Sequence, residues 1–224
     1  MLLIVLFFAG GSLVFSLFSS SGQVKKDPTE EEYIEATLKR EGYPPYTNSG
    51  ASFKTVSAQV YLPVKNFFQN QAVNPFGVFR SNRFVGYHSG VDVEIDPSDL
   101  YKKVPVYAIY DGEVKKVELA AGYGGVVAIE HDLGKLSLMG IYGHLRLWDI
   151  NVKEGQKITA GYLIGYLGAD ASAETDGERK HLHFGLFKGE DVDIKGYVDS
   201  LAELKRNWLS PNEFLRGVNA KAME

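Results

Sequence analysis

From residue 56 onward short apolar runs alternate with turn residues, a rhythm that predicts strands rather than helices. Strands are expected over residues 58–63, 91–95, 105–108, 112–119, 126–131, 136–142, 157–158, 163–167 and 181–187. Asp132-Leu133-Gly134-Lys135 supplies a hairpin turn between two of them. Glycines at 155, 161, 165 and 168, set among aliphatic and β-branched residues, fit tight turns in a small, strongly bent sheet. Helical signals return only after Gly196, first over residues 199–207. Ser210-Pro211-Asn212-Glu213 then reads as a capping box that opens a last turn or two.

The N-terminal quarter has a different pattern. Residues 2–18 are almost wholly apolar, interrupted only by Gly10, Gly11, Ser12 and Ser16. As a helix they reach roughly 25 Å, a little short of a bilayer's hydrocarbon core of about 30 Å. Ser19-Ser20-Ser21-Gly22 offers small residues where a signal peptidase could cut, so the run is an export signal or a membrane anchor. No Lys or Arg precedes it and Lys25 and Lys26 follow, a bias that by itself would keep the body cytoplasmic. Thr29 to Glu32 has capping-box spacing and opens a helix expected to run to Arg40, stopped by Gly42, Pro44 and Pro45. Residues 42–57 read as linker. The expected division is therefore a leader over 1–22, a helix and linker over 23–57, and a mainly β domain over 58–224 with a helical C-terminal extension. The β domain is expected to be a compact antiparallel sheet closed into a barrel-like sandwich.

Composition narrows the chemistry. A chain of 224 residues with 45% apolar content can bury a real core. Its formal charge of −4 and lack of a basic stripe speak against a nucleic-acid partner. It contains no cysteine, which excludes disulfides, thiolate zinc sites, a cysteine nucleophile and a lipid-modified cysteine. A metal site would have to be built from His, Asp and Glu.

The five histidines are where that chemistry concentrates. In His181-Leu182-His183-Phe184 an extended backbone points both imidazoles to one face and buries Leu182 and Phe184 on the other. His88-Ser89-Gly90-Val91-Asp92 places His88 and Asp92 on one side if extended, with Gly90 allowing a close approach to a neighbour. Tyr142-Gly143-His144-Leu145 ends the strand after the hairpin. A His and an Asp from one strand plus a His from another give the ligand count of a catalytic zinc site whose fourth position holds water. His144 and His181 are then left over for proton handling and charge stabilisation. His131 ends a strand before a turn and reads as a structural or surface residue rather than a catalytic one. Glu94 shares the face of Asp92 and reads as a solvated strand carboxylate. Tyr87 and Tyr123 could line a groove. Arg80, Arg83, Arg179 and Lys180 flank the motifs, where they could meet substrate carboxylates.

His-x-x-x-Asp, Tyr-x-His-Leu and His-Leu-His-Phe, in that order, resemble the lysostaphin-like (LytM-type) zinc endopeptidases. The likeness extends to Pro105-Val106-Tyr107-Ala108, to Asp111-Gly112-Glu113-Val114, to residues 122–131 and 152–165, and to the Pro211-x-x-Phe214-Leu215 ending. It implies that family's duplicated hybrid β fold and one zinc ion held by His88, Asp92 and His183. His144 and His181 would be the catalytic pair, with His181 as the preferred base. The implied substrate is the peptide portion of peptidoglycan and the implied location the cell envelope, exported or anchored through residues 2–18. The family commonly has Gly-Pro before the His-x-His, where this chain has Arg179-Lys180, and an acidic residue where it has Gly185. Loop 169–177 is expected to wall the groove. Two other classes are weighed. One is a non-catalytic peptidoglycan-binding or hydrolase-regulating module of the same fold, which the complete residue set disfavours. The other is a biotinyl- or lipoyl-type carrier, whose attachment lysine the 132–135 turn does not present in a suitable setting.

Overall fold

Val126-Val127-Ala128-Ile129 has no polar position to offer water, and the fold covers both of its faces. These residues lie in β6 (Gly124–Asp132). Val127 and Ile129 enter one hydrophobic cluster with Tyr142, Leu182 and Phe184. Val126 and Ala128 enter a second with Met139, Ile141, Phe187 and Trp208. A strand buried on both sides reads as a continuous apolar run rather than an alternation. The computed structural model describes residues 59–71, 73–133, 137–189 and 191–223. The chain divides into two units, Met1–Gly50 and Ala51–Glu224, and all of these residues lie in the second. The apolar leader, the helix expected from Thr29 to Arg40, the 42–57 linker and the hairpin tip at 134–136 fall outside them. Among the described residues no helix is long and apolar enough to cross a membrane.

The protein is mainly β and its named strand pairings are antiparallel. The large sheet places β12 (Trp208–Leu209), β10 (His181–Phe187), β7 (Ser137–Leu145), β6, β5 (Gly112–Ala120) and β8 (Lys157–Ile158) side by side. β3 (Gly90–Glu94) pairs with the first five residues of β10. A small sheet joins β1 (Phe79–Ser81), β2 (Val85–His88) and β11 (Tyr197–Val198), and β4 (Pro105–Tyr107) pairs with β9 (Leu163–Tyr166). Two short helices follow, α1 (Leu201–Asn207) and α2 (Pro211–Gly217). Both are capped by serines: Ser200 Oγ accepts from Glu203 N, and Ser210 Oγ, the cap expected from the sequence, accepts from Glu213 N.

One expectation about strands needs correction, and four short strands were not anticipated. Residues 58–63 do not form a strand among the described positions; Tyr61 makes only an isolated bridge to Lys221. Their backbone is instead pinned between Ile109 and the C-terminal segment, through Tyr61 N to Ile109 O and Leu62 N to Lys221 O, both 2.8 Å. Conversely β1, β2, β11 and β12, each two to four residues long, carry too few positions to show a period.

His131 is structural, as its place in the sequence suggested. It is fully buried, with Nδ1 3.3 Å from Asp111 O and Nε2 2.9 Å from Tyr142 Oη, which itself accepts from Ile109 N at 3.1 Å. The neutral ring satisfies every partner. Burial pushes its pKa from 6.5 down to about 4, against weaker opposition from the Asp111 and Tyr110 backbone. As pH falls the unfolded chain takes up this proton first. The stabilisation is therefore complete above about pH 6.5, shrinks towards about pH 4 and levels off below, a swing of about 3 kcal/mol. Urea unfolding at pH 7 and pH 4.5 should show the acid loss, and His131→Gln should make it shallower by about 2 kcal/mol. Equal losses in the two proteins would remove His131 as a source.

Candidate metal centre

The pairing of β10 with β3 sets His183 opposite Asp92, and its pairing with β7 sets His183 opposite Gly143. Leu182 and Phe184 face the core, as alternation requires. His88 arrives differently from what its spacing suggests. It does not share an extended strand with Asp92, because the chain changes sheets at Ser89. His88 pairs with Tyr197 in the small sheet, whereas Asp92 belongs to the large one. Ser89 fixes the crossover, its N–H bonded to Gly196 O at 3.0 Å and its hydroxyl to Lys195 O. Gly90 follows where a Cβ would lie 2.6 Å from Phe184 O and 2.7 Å from His183 Nε2, the close approach its position implied.

Three donor atoms converge from these elements. His88 Nε2 and His183 Nδ1 are 3.0 Å apart, His88 Nε2 and Asp92 Oδ1 3.2 Å, and His183 Nδ1 and Asp92 Oδ1 3.1 Å. A tetrahedral zinc ion with bonds of about 2.0–2.1 Å separates its donors by about 3.3 Å, so the triangle has the right size. The other atom of each group is already engaged. His88 Nδ1 lies 3.3 Å from Pro75 O, and His183 Nε2 lies 3.2 Å from Tyr123 Oη. Asp92 Oδ2 accepts from Asn74 Nδ2 at 2.8 Å and from Arg179 Nη2 at 3.1 Å. With those outer atoms engaged, three lone pairs face one another in a buried place, an arrangement that a shared cation stabilises. Burial works to raise the Asp92 carboxyl, but the surrounding imidazoles of His181, His183 and His88 hold it well below the usual range. Burial also pushes His183 to about 4, keeping its ring neutral.

His181 stands beside this triangle rather than in it. Its Nδ1 lies 2.7 Å from Arg179 O, to which it donates, leaving Nε2 basic and 3.3 Å from Asp92 Oδ2. His144 reaches the same face through an irregularity. The β6–β7 register shifts between Gly125 and Val126, and His144 takes φ of +62°. That bulge turns an imidazole that strict alternation would send away, a strained backbone of the kind concentrated at functional sites. The His144 and His181 ring centres are 4.2 Å apart. Burial, reinforced by His181 and His183, holds the His144 pKa well below its ordinary value, and its Nδ1 has no partner among the described residues.

All five residues line a groove of about 610 Å³. Its other lining includes Tyr123, as its sequence position allowed, together with Asn74, Arg80, Phe84 and Tyr197. Asn74 and Tyr197 carry no motif and were invisible in the sequence. Asn74→Ala should weaken zinc binding by roughly 10- to 100-fold, the usual effect of losing a partner that orients a ligand. A chelator competition with wild-type affinity would count against that role. Glu94 is not merely solvated: it takes both Nε and Nη2 of Arg179, at 2.6–3.0 Å. Lys180 is not among the groove's lining; it is buried with Nζ donating to the Asp99, Leu100 and Lys102 carbonyls. The groove wall is made by Glu178 and Arg179 rather than by loop 169–177, whose Asp176 braces it from behind through Arg83 and the Gly122 N–H.

Comparison with known proteins follows the same residues. Residues 86–194 match the model of Peptidase family M23, a stretch that contains all five site residues. Residues 86–194 thus have the LytM-type fold of that family. Several solved structures resemble the M23 domain and its surroundings. The structure described as LytU is 26% identical, covering 67% of this chain and 94% of that one, with a TM-score of 0.45. A zinc-containing peptidase from Vibrio cholerae is 27% identical over 58% of this chain, with a TM-score of 0.43; the chain spans only 37% of that protein. A SpoIIIAH–SpoIIQ complex is 23% identical over 70% of this chain and 99% of the other, with a TM-score of 0.47. No curated protein matches.

Proposed function

We propose that the protein is a zinc-dependent endopeptidase that hydrolyses peptide bonds in the cross-bridges or stem peptides of peptidoglycan. The observation carrying this reading is the meeting of His88 Nε2, Asp92 Oδ1 and His183 Nδ1 within 3.2 Å, with His181 and His144 alongside. His88, Asp92 and His183 would hold one zinc ion, which when bound would supply Lewis-acid polarisation at neutral pH. His181 Nε2 accepts the proton of the attacking water and returns it to the departing amine. Its Nδ1–H stays fixed on Arg179 O, so the basic nitrogen does not turn away. His144, neutral and buried, offers an imidazole N–H to the carbonyl oxygen as negative charge develops there. Arg179 and Asn74 hold Asp92 by its outer oxygen. The apolar residues 2–18 serve as the export signal or anchor that puts the groove on the peptidoglycan side of the membrane.

The test is digestion of purified cell-wall sacculi by the isolated protein, with released fragments identified by mass. New peptide termini should appear with zinc present, vanish on chelation and return on zinc addition. Metal analysis should give one zinc per chain. Sacculi left intact by the zinc-loaded protein would overturn the reading.

A further inference from the structure

Four cationic side chains line the groove, and three of them are already neutralised. Arg83 meets Asp176 and Glu178, each at 2.6 Å. Arg179 meets Glu94 at 2.6 Å and Asp92 at 3.1 Å. Lys195 meets Glu203 at 3.3 Å and Asp193 at 3.7 Å. Arg80, on β1, has no carboxylate partner among the described residues, although it is partly buried and lines the groove. It is nevertheless held in place. Its Nε donates to Asn74 Oδ1 at 3.1 Å and its Nη2 to Val73 O, which leaves Nη1 for a ligand.

Asn74 links this cation to the candidate metal centre. Its Nδ2 donates both to Asp92 Oδ2 and to Tyr197 Oη, each at 2.8 Å. Because Tyr197 Oη accepts from Asn74, its own hydroxyl hydrogen is free to point into the groove. Arg80 and Tyr197 thus present two donors hinged on one amide, a single side chain away from Asp92. A carboxylate is the group that such a pair recognises, and a guanidinium-to-carboxylate hydrogen bond is about twice as strong as a neutral one.

We propose that Arg80, with the Tyr197 hydroxyl, binds a free carboxylate on the residue beside the amide that is cut, so that the site takes acidic stem peptides over amidated ones. The inference rests on the endopeptidase reading for its substrate, but its test does not need turnover. Two blocked peptides serve as probes, acetyl-L-Ala-γ-D-Glu-L-Lys-D-Ala-amide and its D-isoglutamine counterpart, which differ only in one carboxylate against one carboxamide. Calorimetric titration into the full protein, both metal-free and zinc-loaded, should show the acid binding about 10- to 100-fold tighter. In Arg80→Gln that ratio should fall to about one. A wild-type protein that binds both probes equally overturns the proposal whatever the variant does. So does a variant that keeps the wild-type ratio. If the ratio behaves as stated but sacculi stay intact with zinc, the carboxylate site stands and the hydrolase reading falls.

Discussion

Alanine in place of His183 should abolish zinc binding and hydrolysis together. The substitution removes Nδ1, the donor that lies 3.0 Å from His88 Nε2 and 3.1 Å from Asp92 Oδ1, and leaves only a pair. It also frees the Tyr123 hydroxyl, which now bonds to Nε2 of the same ring. The fold itself should persist. Leu182 and Phe184, on the opposite face of β10, stay in the core, and the backbone pairing with β3 and β7 does not use the imidazole. The loss of zinc affinity should exceed the roughly 100-fold that an outer partner of a ligand commands. Metal analysis after dialysis, alongside circular dichroism to show that the sheet survives, measures both. A folded variant retaining one tightly bound zinc would remove His183 from the ligand set.

The second large effect separates neighbours on the same strand face. His181→Ala should keep wild-type zinc content and lose about 10²- to 10⁴-fold in kcat, the range ascribed to a positioned acid–base group. The reason is directional. His183 aims Nδ1 into the donor triangle, whereas His181 is anchored by Nδ1 on Arg179 O and turns Nε2 towards the outer oxygen of Asp92. That oxygen is not the one that faces His88 and His183. Removal of His181 therefore takes away a base without opening the metal position. Steady-state kinetics with a labelled muropeptide, combined with zinc analysis, reads the two quantities apart. Wild-type turnover, or loss of the metal, would show that the histidines have been given the wrong roles.

The histidine motifs were legible because alternation along β10 is strict: imidazoles on one side, Leu182 and Phe184 on the other. The same rule failed where the backbone departs from regularity. His88 and Asp92 are four residues apart, yet they come from different sheets, since the chain crosses between them at Ser89. His144 joins the site through a bulge with positive φ, which no pattern of apolar positions announces. Asn74, Tyr197 and the Arg179–Glu94 pair were illegible for a different reason. Single polar residues carry no periodicity, and what they do depends on which distant atom lies within 3 Å of them.

The sequence by itself determined that the body is an antiparallel β structure, that β10 has a core face and a histidine face, and that any metal must be held by nitrogen and oxygen. Those follow from the period of a strand and from a composition without cysteine, both local properties of the chain. Tertiary structure alone decided which atom of each residue faces the shared centre, which outer bonds fix it there, and which groove cation has no carboxylate partner among the described residues. Those are matters of ångströms between residues as much as 123 positions apart, as Asn74 and Tyr197 are, and only the packed sheets bring them together.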